Sequence, residues 1–93
     1  MGVEFRAVVD ESTSVVNLYQ HQTMVAKVPY QPQADTWKRL LIDAEDYALS
    51  LWNSNGNWKI ALYPTDERGY IRLQSAIPIR VEAVKSAKAR PIL

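Results

Sequence analysis

His21 is the single histidine of this chain, and there is no cysteine. Any Ser-His-Asp triad, imidazole metal site or proton shuttle would therefore have to be built around that one residue. Thiol nucleophiles, thiolate metal sites and disulfides are excluded. His21 lies between Gln20 and Gln22 in a segment that reads as a turn, with no carboxylate close in sequence to orient its ring. It reads as a solvent-facing turn residue, and an enzyme built on it is the weakest of the functional readings.

The acidic groups offer no better centre. Asp43, Glu45 and Asp46 form the densest cluster, but on a helix they fall at about 240°, 80° and 180° around the axis and cannot address one ion. Asp66-Glu67-Arg68 lacks the Asp-x-Asp-x-Asp spacing of a calcium loop. The only glycines are Gly2, Gly56 and Gly69, too few for a dinucleotide or Walker fingerprint. The expectation is a protein without catalytic residues, metal, cofactor or small-molecule substrate.

Binding chemistry is better represented. Residues 1–46 carry four Lys/Arg against seven Asp/Glu and residues 47–93 carry seven against three, a polarity of −3 to +4. In the second half, basic residues alternate with tyrosines. If Trp58, Ile60, Leu62, Ile71, Leu73, Ile77, Ile79 and Val81 face a core, then Lys59, Tyr63, Tyr70, Arg72, Gln74, Arg80 and Glu82 share the opposite face. Tyr, Trp and Arg dominate interface energetics, and a net charge of +1 suits a protein partner better than a polyanion. The expected function is occupation of a macromolecular partner, foremost a protein, as an inhibitor, adaptor or accessory subunit. Self-association into a homodimer belongs to the same reading. The alternative is binding of single-stranded nucleic acid, with tyrosines stacking bases and arginines neutralising phosphates.

The elements that must position these residues are read from periodicity. From Asp35 to Asn53 the apolar residues recur at helical spacing: Trp37, Leu40, Leu41, Ala44, Tyr47, Ala48, Leu51 and Trp52 fall within an arc of about 140°. This predicts one long, core-facing helix, capped by Asp35 or Thr36 and ended at Asn53-Ser54-Asn55-Gly56. Ile42 and Leu49 fall on its flank and form a second candidate docking surface. The candidate partner-binding residues are thus Lys59, Tyr63, Tyr70, Arg72, Arg80, Ile42 and Leu49.

Around that stretch the pattern alternates like strand. Val3 to Val9, Ser14 to Tyr19, Thr23 to Val28, Trp58 to Tyr63, Tyr70 to Leu73 and Ile77 to Val81 are the expected strands, the second and third reading equally well as one long bent strand. Pro29 and Pro32 interrupt pairing, and Tyr30 between them is expected on a loop. The pair Trp58–Tyr63 and Tyr70–Leu73 reads as a hairpin about the polar turn Pro64–Gly69. The predicted fold is α+β, an antiparallel sheet of four to six strands with one long helix packed on one face. Residues 1–84 are expected to form that single domain and residues 85–93 a basic, mobile tail. Apolar content of 47% and charge of 23%, without any apolar run long enough to span a bilayer, argue against a membrane protein. The N-terminal residues show no secretory pattern, and Arg6 stands where a myristoylation motif wants Ser or Thr. A cytoplasmic location is expected.

Overall fold

A computed structural model describes residues 4–84; the expected C-terminal tail lies outside the described residues. The described chain forms seven strands, β1 (Phe5–Asp10), β2 (Val15–Gln20), β3 (Thr23–Pro29), β4 (Thr36–Ile42), β5 (Glu45–Ser54), β6 (Asn57–Pro64) and β7 (Ile79–Val84), with one short 3-10 turn at Leu73–Ser75. Two sheets result, ordered β3-β2-β1-β7 and β4-β5-β6. Among the described residues there is no α-helix, and the expected α+β fold is corrected to an all-β one.

The long helix is replaced by the β4–β5 hairpin. Thr36 to Ile42 pair antiparallel with Leu51 to Glu45, closing on the two residues Asp43 and Ala44. Both turn residues have positive φ, 52° and 64°, the signature of the type I′ turn whose twist matches that of paired strands. Cross-strand partners share a face, so Leu40, Ile42, Tyr47, Leu49 and Leu51 point one way while Trp37, Leu41, Ala48 and Trp52 point the other. The helical stripe was a composite. It mixed Leu40, Tyr47 and Leu51 from one face with Trp37, Leu41, Ala48 and Trp52 from the opposite one. When both faces of a hairpin carry apolar residues, a 3.6-residue period is satisfied by coincidence, and the Leu- and Ala-rich composition reinforces it.

Asn55-Gly56, expected to end that helix, instead turns β5 into β6, again with positive φ at both residues (54° and 87°). The same left-handed backbone serves a helix cap and a hairpin, so the dipeptide alone does not decide between them. The backbone N–H of Gly56 donates to Asn53 Oδ1 at 2.7 Å. Elsewhere the alternation is followed closely: β1, β2 and β3 form a meander in which Phe5, Ala7, Val9, Val16, Leu18 and Val28 are buried.

Two further expectations are corrected. Tyr70–Leu73 is not a strand: it touches Thr65 through one bridge at Ile71, Leu73 is exposed, and β6 pairs with β5 instead. The final strand crosses to the other sheet, where it runs parallel to β1, Phe5 opposite Ile79 and Val9 opposite Ala83. The two sheets pack face to face and are stitched where the Ile77 N–H donates to the Leu62 carbonyl at 2.7 Å. The core is filled from both by Phe5, Val9, Val16, Leu18, Val28, Leu40, Ile42, Leu49, Leu51, Ile60 and Leu62. Each fully buried aliphatic side chain contributes about 1.5–3 kcal/mol of transfer free energy, so these positions carry most of the stability. No helix among the described residues is long and apolar enough to cross a membrane.

Candidate functional site

The register of β4, β5 and β6 fixes a grid of side chains on the outward face of the second sheet. Trp37 stands beside Ser50 and Ala61, Arg39 beside Ala48 and Tyr63, Leu41 beside Asp46, and Trp52 beside Lys59. The central strand presents small residues here, Ala48 and Ser50, which leave room above them. Trp37 and Tyr63 fill it from the two flanking strands and stack, with ring centroids 6.0 Å apart and planes 23° from parallel. Ala48 and Ser50 are consequently only 1% and 3% exposed although they point away from the core. Such a stack adds about 0.5–1.5 kcal/mol beyond the area it buries.

The outer surfaces of these rings face solvent. Trp37 is 54% exposed, Leu41 69% and Trp52 39%. They share one face, with Trp52 diagonal to Trp37 across the β4–β5 pair and Leu41 nearer the hairpin turn, beyond Arg39.

The segment after β6 borders this face. Asp66 organises it: its Oδ1 accepts the backbone N–H groups of Arg68 and Tyr70, both at 2.9 Å, and its own N–H donates to the Tyr70 carbonyl. Gly69 adopts φ +88°, and its carbonyl accepts Arg39 Nη2 at 2.9 Å. Arg39 therefore ties this loop to β4, and Thr65 Oγ1 ties its start to the Asp46 carbonyl at 3.2 Å. Tyr70, 66% exposed, is held at the margin of the aromatic grid by backbone bonds.

The sequence-derived candidates separate in space. Lys59 and Tyr63 lie on the grid itself. Tyr70 and Arg72 are exposed on the adjoining loop rather than on a strand. Arg80 is on β7, in the other sheet. Ile42 and Leu49 are 4% and 0% exposed and belong to the core, so the flank they were assigned to does not exist. Tyr30 lies on the connection between β3 and β4, as expected, but it is buried, at 8% exposure, and packs edge-to-face on Trp58 at 4.8 Å. Burial, and next the nearby negative charge of Glu11, push its hydroxyl above the usual tyrosine range. Trp58 in turn donates its indole N–H to Glu11 Oε2 at 3.0 Å. These groups line a cleft of about 230 Å³ at one end of the sandwich, with Ser14, Pro32 and Asn53.

Trp37, Leu41 and Trp52 are the functional candidates that periodicity concealed, because it assigned them to a core. A period-two reading of Tyr47-Ala48-Leu49-Ser50-Leu51, together with Asn55-Gly56 after it, is the signal that finds them. Among the described residues no three His, Asp or Glu side chains converge in a way that could hold a metal ion. No family model, curated protein or solved structure matches this chain.

Proposed function

We propose that the protein is a non-catalytic binding module that docks a protein partner through the outward face of β4, β5 and β6. The observation that carries this reading is the exposed group Trp37, Leu41 and Trp52 around the Trp37–Tyr63 stack. Rings preorganised by stacking lose little freedom on binding, and Trp and Tyr are the side chains that most often anchor protein interfaces.

The balance of charge on this face favours a protein over a nucleic acid. Arg39 and Lys59 are its cations, Asp46 opposes them, and Arg39 is already committed to the Gly69 carbonyl. The Tyr/Arg face on which nucleic-acid binding depended is dispersed, with Arg80 in the other sheet. Polyanion binding relies on several cations that neutralise phosphates together, and this face has too few.

The test compares capture of interacting proteins from the native host by the wild-type chain, by Trp37→Glu and by Arg80→Glu, with and without nuclease. Both positions are exposed, so the fold should survive either change. The expected result is a nuclease-resistant partner lost with Trp37→Glu and kept with Arg80→Glu. Sedimentation of the same three proteins identifies a second copy as the partner if only Trp37→Glu shifts a dimer to monomer. Capture that is indifferent to Trp37→Glu, or that nuclease abolishes, overturns the reading.

A further inference from the structure

A separate cluster lies on the first sheet, away from the aromatic grid. The parallel pairing of β1 with β7 sets Arg6 directly beside Arg80, on strands separated by about 4.8 Å. Two guanidinium groups side by side repel, and the protein neutralises only one of them. Arg6 lies over the Tyr19 ring at 4.7 Å and reaches Glu82 Oε1 at 3.5 Å. Arg80 has no hydrogen bond or ion pair among the described residues. At the same end, β2 turns into β3 through His21, whose backbone N–H donates to the Glu4 carbonyl at 3.2 Å. His21 takes φ 58° there, a left-handed conformation uncommon for a residue that is not glycine. Glu4, Arg6, His21 and Arg80 together line a cleft of about 100 Å³.

We infer that this cleft binds a tetrahedral oxyanion of the sulfate or phosphate type, with Arg80 as the principal donor and the His21 imidazole completing the site. Its volume suits a single anionic head group. The guanidinium fork of Arg80 supplies planar paired N–H donors that match two oxygens of such an ion. Glu82 is engaged by Arg6, which leaves Arg80 as the cation available to the anion, while Glu4 on the cleft wall opposes it and favours a compact, directly bonded ion over a loosely held one.

The test is a titration of the isotope-labelled chain with sodium sulfate at pH 7.0, followed by the amide resonances. Sodium chloride at matched ionic strength is the reference. Saturable shifts at His21 and around Arg80 are expected. Arg80→Gln should remove saturation. His21→Asn, which tolerates the left-handed backbone, should raise Kd at least threefold. A phosphate monoester run in parallel separates the sources: tighter binding than sulfate indicates an esterified ligand, and equal or weaker binding a free ion. Shifts no larger than those caused by chloride, or an Arg80→Gln variant that titrates like wild type, overturn the inference. Both substituted residues are exposed, and a dispersed spectrum of each variant confirms that its fold is intact.

Discussion

Replacing Ala44 with glycine should stabilise the protein, and the sign of that change discriminates sharply between two local structures. Ala44 occupies the second central position of the β4–β5 turn at φ 64°. A left-handed backbone costs an L-residue about 1–2 kcal/mol through the clash of its Cβ with the following carbonyl, and glycine escapes that cost. Glycine in turn has more freedom to lose on folding, which takes back about 0.4–1 kcal/mol. The net expectation is a gain of about 0.5 kcal/mol. In a helix interior the same substitution loses about 0.8–1.0 kcal/mol. Urea unfolding reads the difference directly: with m near 1 kcal/mol/M, a value at the low end for small proteins, the midpoint should rise by about 0.5 M, where a helix would lower it by about 1 M. Gly56→Ala in the neighbouring turn is the mirror experiment. At φ +87° an added Cβ meets nothing within 4 Å beyond its own chain neighbours, so only the same two backbone terms act and the loss should be about 0.5 kcal/mol. A midpoint lowered by Ala44→Gly at unchanged m would refute the hairpin reasoning.

Truncation of core and outer-face residues should separate just as cleanly. Leu49→Ala removes a side chain that is 0% exposed and should cost about 2–5 kcal/mol, whereas Leu41→Ala, at 69% exposure, should fall within about 0.5 kcal/mol of wild type; thermal or urea unfolding checks both, and equal losses would contradict the assigned faces. Alkaline stability should depend on Tyr30 and Tyr47, whose hydroxyls are both raised above the ordinary range, chiefly by burial and then by nearby carboxylates. A raised folded-state value means that their contribution is complete below the unfolded-state value of about 10 and is lost as pH rises through the folded-state one. Tyr30→Phe should therefore flatten the decline in stability above about pH 10, measured as the urea midpoint against pH, and an unchanged slope would show that Tyr30 is not among the groups responsible.

The parts of the fold that were legible in the sequence are those in which one face of a strand is apolar and the other polar. Phe5, Ala7 and Val9 alternate with Arg6 and Asp10 along β1, and the structure buries the first set and not the second. Trp58, Ile60 and Leu62 likewise turn inward along β6. The pairing partners were less accessible, because alternation fixes which face is buried and says nothing of which strand lies alongside. The parallel β1–β7 pair joins residues more than seventy positions apart, a connection with no local signal. Tyr70-Ile71-Arg72-Leu73 alternates as well as any strand here, yet the Asp66-centred loop precedes it and the 3-10 turn at Leu73–Ser75 cuts it short, so it meets the edge of β6 only at a single bridge from Ile71 to Thr65. At the candidate site, Lys59 and Tyr63 were legible by parity along β6. Arg80 was not, since its parity is right and its sheet is different.

The failure at Asp35–Asn53 and the proposed docking face have one physical origin. A strand covered on one side writes a period of two into its sequence, because water selects polar residues on the open side. The β4–β5 hairpin breaks that rule: Leu40, Ile42, Leu49 and Leu51 fill the core, while Trp37, Leu41 and Trp52 stand exposed on the opposite face beside the small residue Ala48. Doubling the apolar set is what lets a helical period fit, and it is also what leaves large rings in solvent. Packing within the monomer accounts for Ala48 and Ser50, which Trp37, Tyr63 and Arg39 surround, but it does not account for the exposed sides of Trp37, Leu41 and Trp52. Polar residues at those three positions would hold the same hairpin with a more soluble surface. A contact outside the monomer, as proposed above, accounts for apolar side chains at those three positions, and on that reading Trp37→Glu should abolish partner capture while sparing the fold.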